Sequence, residues 1–340
     1  MNMIYFLKDY QEENFNALSK ARLDAEKIMI KNGCKELNFY LGGRKIYYKS
    51  FFKRRNEKKK LKSGDTLLIQ YPYYFKYWGS FFKTIQELRS NGIKVVALIH
   101  DIICLRPYEK PITMDDEVRV FNQLDGIISH NEHMTKLLVQ SGVKVPIYNL
   151  DIFDYLSDKF DMEIVDDFKN INIAGNLVID KAKYIYLKEL DDIKTKISLY
   201  GVGFEKEKVL NHKNNLDYIG CFKPEELGKH MKTGFGLIWD GESLDKCSGM
   251  MGEYLKVNNP HKTSMYLSIG MPVIVWSKSA MKDLVLENNI GIAIDSLKEI
   301  DKTLENITFE KYKEMAENCR KFGEKLRAGY FLGKAIEKIK

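Results

Sequence analysis

At 340 residues, 44% of them hydrophobic, the chain is long enough for two domains with cores of ordinary size, which excludes a disordered or fibrous protein. No apolar run approaches the roughly 20 residues that span a bilayer, and the opening Met3-Ile4-Tyr5-Phe6-Leu7 is too short for a signal peptide, so a cytoplasmic protein is expected. A net charge of +7 and a pI near 8.8 suit an anionic partner, but do not choose among a nucleotide diphosphate, an anionic membrane and a nucleic acid.

In chain order, short apolar runs at 4–7, 37–40, 66–70, 94–99 and 126–129 predict a first set of strands. Runs at 170–174, 197–200, 235–239 and 272–276 predict a second. Helical periods separate them, which implies right-handed βαβ units and two parallel, Rossmann-like sheets. In the first helix Ala17, Ala21, Ala25, Ile28 and Met29 recur at three- and four-residue spacing before Asn32-Gly33 ends the pattern. An acidic stretch over 149–169, with Asp151, Asp154, Asp166 and Asp167, predicts the interdomain connection. The domains are therefore expected at 1–155 and 156–326. A helix over 312–326 is interrupted at Gly329, and a last amphipathic segment, about 327–340, is expected to pack back on the first domain.

The cysteines Cys34, Cys104, Cys221, Cys247 and Cys319 are scattered, odd in number and without a C-x-x-C pair, so they read as reduced thiols. The basic run Phe51-Phe52-Lys53-Arg54-Arg55, with Lys58, Lys59, Lys60 and Lys62, reads first as a solvated face. Beside the aromatic stretch from Tyr71 to Trp78 it also suits contact with an anionic membrane or a lipid-diphosphate acceptor. No nucleic-acid motif is present, so nucleic acid is not expected as a partner.

The most informative stretch begins with Gly236-Leu237-Ile238-Trp239-Asp240-Gly241, a buried strand opening into a loop at the end where α/β sheets bind ligands. The loop leads to Asn258-Asn259-Pro260-His261-Lys262-Thr263-Ser264. Here Asn259 is expected as N-cap, Pro260 at the first helical position and Lys262 at about the third, with Gly270 as the stop. Backbone amides and the dipole at such a start attract phosphate, and Lys262 adds a full charge, although a capped helix alone is the commoner reading.

These words, with Cys247-Ser248-Gly249 and Pro272-Val273-Ile274-Val275-Trp276, resemble the nucleotide-binding half of GT-B glycosyltransferases, above all bacterial β-1,6-galactofuranosyltransferases. More distantly the chain resembles the glucosyltransferase 3 family, which extends N-acetylglucosamine on serine-rich adhesins. The resemblance continues through His100-Asp101, His130-Asn131, Asp154-Tyr155-Leu156, Gly175-Asn176 and Tyr218-Ile219-Gly220. It implies a GT-B fold, two Rossmann-like domains with parallel sheets facing across a cleft, the first holding the acceptor and the second a UDP-sugar. It also admits a homo-oligomer.

Within that frame, Gly175-Asn176 follows the first strand of the second domain, where a glycine lets backbone approach a diphosphate. Lys181 matches a basic position of the galactofuranosyltransferase pattern. Tyr218 is placed to stack on uracil, and Asp240 and Glu253 to accept hydrogen bonds from sugar hydroxyls, though core or loop scaffolding explains each as well. Inverting transfer needs a base for the acceptor hydroxyl. Asp101, after an apolar strand, is the first candidate, Asp9 the second, and His130 a further one, although capping or positioning a loop explains Asp101 as well. No Asp-x-Asp occurs in the sequence, so Lys262, Lys181 and helix amides, with neither metal nor cofactor, are expected to stabilise departing UDP.

The expected reaction is hexosyl transfer from UDP-galactofuranose to a sugar hydroxyl of a surface polysaccharide, at the inner membrane face if the basic run rests on lipid. The alternatives are UDP-glucose transfer to an adhesin glycan and a non-catalytic GT-B partner of another glycosyltransferase. A nucleotide-sugar epimerase or dehydrogenase would need a nicotinamide fingerprint. Tyr200-Gly201-Val202-Gly203 lacks the third glycine of one.

Overall fold

Apolar runs with no charge inside them are buried on both faces, and here they form the middles of two parallel sheets. The computed structural model describes residues 2–8, 17–39, 41, 51–72, 78–107, 112–160, 162–209 and 215–340. In the first sheet, β1 (Ile4–Leu7), β2 (Lys35–Leu37), β3 (Thr66–Tyr71), β4 (Lys94–Ile99), β5 (Gly126–Ser129) and β6 (Ile147–Asn149) lie in the order β2-β1-β3-β4-β5-β6. Helices Ala17–Lys31, Phe51–Lys58, Trp78–Ser90, Met114–Phe121 and Glu132–Gln140 connect them. Strands β1, β3 and β5 are buried along their whole length.

The second sheet contains β7 (Asn170–Asn176), β8 (Lys196–Val202), β9 (Leu216–Gly220), β10 (Phe235–Ile238), β11 (Val273–Trp276) and β12 (Gly291–Ile294). Its order is β12-β11-β10-β7-β8-β9, again all parallel. Counted from β7, this is the Rossmann order 3-2-1-4-5-6, and chain direction across the sheet reverses between β7 and β10. The gap above that reversal is where such sheets bind nucleotides.

Described residues divide into two compact units, one comprising Leu18–Ile152 with β1 and Gly329–Lys340, the other Phe153–Ala328. The acidic connection packs on the second unit. Phe153, Tyr155, Met162 and Phe168 are buried, and Phe168 stacks on Tyr312 with ring centroids 4.3 Å apart. After the long helix Phe309–Ala328, Gly329 adopts φ 75° and the chain returns to the first unit as the helix Tyr330–Lys338.

Three details differ from the sequence reading. Strand β2 covers Lys35–Leu37 instead of 37–40, so it shares only Leu37 with the expected run, and Tyr40 lies outside the described residues. Strands β6 and β12 are not among the runs read from the sequence; each is an edge strand of three or four residues with half-buried positions. The third concerns the helix start at Pro260 and belongs to the site.

Candidate functional site

At the reversal, β7 ends in Gly175-Asn176 and β10 runs into Trp239-Asp240-Gly241. The two strands pair only through Phe235↔Ile171 and Gly236↔Asn172. Beyond that, Tyr266 from the helix His261–Ser268 enters the sheet. Its hydroxyl donates to the Asn172 carbonyl at 2.9 Å and accepts from the Ala174 amide at 2.7 Å, the two bonds a β10 residue would otherwise make. Gly236 makes this possible, since a Cβ there would sit 2.2 Å from the Tyr266 ring. Burial raises the Tyr266 phenol well above its ordinary pKa, so it stays a neutral donor. Tyr266 thereby pins the helix over the point where β7 and β10 part. Sequence reading misses it; the signal is a Gly in a central strand facing an aromatic with a polar tip.

That helix carries Lys262, whose ammonium lies 3.0 Å from Asp240 Oδ1 and 3.5 Å from the Trp239 carbonyl. Asp240 and Lys262 are thus brought together at the end of β10, each about one-fifth exposed. The expected cap is corrected here. Pro260, at φ −62° and ψ 127°, is itself the N-cap, without a side-chain hydrogen bond; His261 is the first helical residue and Lys262 the second. Proline's fixed φ fits the extended cap, and its missing N–H costs nothing there. Asn259 is buried just before it.

The next residues bind the helix to its own unit. Ser264 is fully buried and donates to the Phe153 carbonyl at 2.6 Å. His261 lies against Tyr155 and Phe153, with ring centroids 5.1 and 6.1 Å away. Thr263 is fully buried, and neither its Oγ1 nor the buried Oδ1 of Asn258 has a hydrogen-bond partner among the described residues.

Gly175, exposed at φ 135°, faces open space where a Cβ would point, so its backbone is open to a ligand. The Asn176 carboxamide accepts from the Val178 amide at 3.1 Å and turns the chain into the short helix Ile179–Ala182. Lys181 on that helix has no carboxylate partner among the described residues. Tyr218 lies apart from this group, on edge strand β9, two strands from β7. Its hydroxyl donates to the Gly201 carbonyl and one ring face stacks on Phe204 at 5.1 Å. Glu253 is exposed and pairs with Lys256 one turn on.

In the first unit, β4 leads through His100 to Asp101, whose carboxylate is mostly buried and paired with the Arg106 guanidinium. His100 Nε2 lies 2.7 Å from Gln70 Oε1. The turn after Asp101 is held by Glu117, a fully buried carboxylate that accepts from Tyr71 Oη at 2.8 Å and from the Ile103 and Cys104 amides at 2.9 and 3.0 Å. His130 is buried against the Ile99 carbonyl, 3.1 Å from Nε2, and burial lowers its pKa to about 3. It is a neutral framework residue and does not suit the role of an accessible base. Asp9 lies outside the described residues. Among the described residues no group of three or more His, Cys, Asp or Glu is placed to hold a metal.

Comparison with known proteins agrees with this architecture. Residues 3–152 match the family profile described as "Glucosyltransferase 3-like, N-terminal domain" and residues 171–339 the one described as "Glucosyltransferase 3-like, C-terminal domain". Beta-1,6-galactofuranosyltransferase WbbI of Escherichia coli (strain K12) is 37% identical over 285 residues, 82% of this chain and 80% of WbbI. Glucosyltransferase 3 of Streptococcus gordonii is 28% identical over 321 residues, 93% of this chain and 92% of that protein. Among solved structures, Anabaena Alr3699/HepE in complex with UDP superposes with a TM-score of 0.60 at 11% identity, covering 100% of this chain and 99% of HepE. An alpha-glucosyltransferase (AGT) in complex with UDP gives 0.60 at 16% identity, with 100% and 99% covered. The fold is GT-B. With both halves matched by their profiles and a relative at this identity over most of its length, the chain belongs to the glucosyltransferase 3-like family.

Proposed function

We propose that the protein transfers galactofuranose from UDP-galactofuranose to a sugar hydroxyl of a surface polysaccharide, with inversion and without a metal ion. The observation that carries this reading is the Lys262 ammonium at a helix start pinned over the Rossmann reversal point, 3.0 Å from Asp240. A cation and helix amides at that point suit a diphosphate. The identity to WbbI, named a β-1,6-galactofuranosyltransferase, favours the furanose donor.

In this reaction the acceptor oxygen attacks the anomeric carbon from the face opposite UDP. Its proton passes to a carboxylate, for which Asp101 is the described candidate and Asp9 the alternative. The bond from the anomeric carbon to the β-phosphate oxygen breaks and its electron pair leaves with UDP. Lys262, Lys181 and the amides of the His261–Ser268 helix take up that charge, a role that in other enzymes falls to a metal held by Asp-x-Asp. Gly175 lies beside the diphosphate and Asp240 accepts hydrogen bonds from the sugar. Tyr218, out on β9, suits at most the far end of the nucleotide. Arg106 occupies one side of the Asp101 carboxylate, so the base role requires the acceptor to be taken up beside that pair.

The test is incubation of purified protein with UDP-galactofuranose, UDP-galactopyranose and UDP-glucose, each with and without EDTA, and NMR of the product's anomeric configuration. Transfer or hydrolysis from UDP-galactofuranose alone, unaffected by EDTA, is expected. Turnover of UDP-glucose alone would overturn the donor assignment in favour of the activity for which the 28% identical Streptococcus gordonii relative is named. Inactivity with all three donors would favour a non-catalytic partner.

A further inference from the structure

A cavity of about 600 Å³ lies in the first unit. Leu61, which precedes β3, and Ile93, which precedes β4, line it, whereas Asp101 follows the other end of β4. It is therefore separate from Asp101 and belongs to a different unit from Lys262. Among the described residues its walls carry Arg54, Arg55, Lys58 and Lys59 from the Phe51–Lys58 helix and its exit, against a single carboxylate, Glu87, from the helix Trp78–Ser90.

That one carboxylate is shared: Lys58 bonds Glu87 directly and Arg54 lies 3.9 Å from it. Arg54 is nearly fully buried. Arg55 and Lys59 are exposed and have no ion-pair partner among the described residues. Burial lowers the Lys58 pKa, and Arg54 lowers it further by repulsion, so positive charge here is held in a crowded, partly dry place. Cations in the last helical turn offset the helix dipole, which explains Arg55 and Lys58 singly. It does not explain four cations gathered around a concavity with one anion between them. A bound anion would offset the repulsion and the desolvation together.

We propose that this cavity is an anion site that takes a phosphate or diphosphate group, independently of the transfer reaction. Either a soluble phosphoryl compound or the headgroup of an anionic lipid supplies that chemistry. Titration of the full chain with inorganic pyrophosphate in saturating UDP, which occupies the donor site, reads the cavity alone. The same measurement is made on Lys262→Ala, so that failure of the donor assignment does not disguise the result. The double variant Arg55→Ala/Lys59→Ala changes two exposed side chains, and its circular dichroism should match the parent. Its pyrophosphate affinity should fall at least tenfold, and binding by the parent should weaken as salt is raised.

Cosedimentation with phosphatidylglycerol vesicles, against phosphatidylcholine vesicles at equal ionic strength, distinguishes the sources. Selective binding lost in the double variant identifies a lipid phosphate; pyrophosphate binding alone identifies a soluble one. Equal pyrophosphate affinity in parent and double variant, or binding to neither pyrophosphate nor anionic vesicles, would overturn the proposal.

Discussion

A single ammonium decides how the second unit meets a diphosphate. Lys262 is held by Asp240, and removing either should separate two parts of the donor. Lys262→Ala should lower kcat/KM roughly 100-fold, the size of effect expected when one donor to a leaving group is lost. Asp240→Ala should raise the KM for the UDP-sugar while leaving UDP binding equal or tighter, because it removes a sugar acceptor and an anion near the phosphates. Steady-state kinetics beside UDP titration checks both, and equal weakening of UDP and donor by Asp240→Ala would remove its sugar role. His130 supplies a prediction of the opposite kind. Its folded pKa of about 3 lies below the ordinary value of 6.5, so between these the unfolded chain holds a proton that the folded one does not. Its contribution is therefore complete above pH 6.5 and is lost as pH falls toward 3, about 2 kcal/mol being lost by pH 5. Urea unfolding at pH 7.5 and pH 5 should show a smaller difference in His130→Asn than in the parent, even though the variant is less stable at both.

Elements were legible in the sequence in proportion to their burial. The middle strands β3, β4, β10 and β11 are mostly apolar because both faces are covered. Strands β2, β6 and β12 are edges: Lys35 and Glu36 of β2 face solvent, and β6 is half-buried throughout, so their pairing depends on a neighbour and not on their own pattern. The helix carrying Lys262 was legible from its asparagines, Pro260 and Gly270, yet its first turn is shifted by one residue, since Asn259 is buried and the proline makes the cap. Within the site, charge and glycine signals pointed to Gly175, Asp240 and Lys262, whereas Ser264 was readable only as part of a motif and serves as a tie to Phe153. The wedge of Tyr266 had no local signal, because it rests on a tertiary match to Gly236. Tyr266→Phe would leave the Asn172 carbonyl and Ala174 amide without their partner, at a cost of about 1–3 kcal/mol. It should also weaken UDP binding through the freed helix. Thermal unfolding with and without UDP checks this, and an unchanged transition would mean that β10 closes onto β7 in its place.

On the scale of the whole molecule the chain crosses from one unit to the other and back, so its last residues support its first. The helix Tyr330–Lys338 packs on β6, and Phe331, Leu332, Ala335 and Ile336 are buried. Each large apolar side chain of this set contributes about 1.5–3 kcal/mol by leaving water. Gly329 makes the return possible: at φ 75° a side chain is strained, and a Cβ would stand 2.7 Å from Ile28 in the first helix. Deletion of 329–340 should therefore destabilise the first unit although the deleted residues follow the second in sequence. Amide hydrogen exchange should show β1, β3, β4 and β5 losing protection while β7, β8, β10 and β11 retain theirs. Gly329→Val, which keeps every apolar residue of the last helix, should move the same strands in the same direction by a smaller amount. Equal loss of protection in both sheets would mean that the returning helix stabilises the chain as one cooperative body, and protection unchanged in β1 to β5 would mean that its burial adds nothing to the first core.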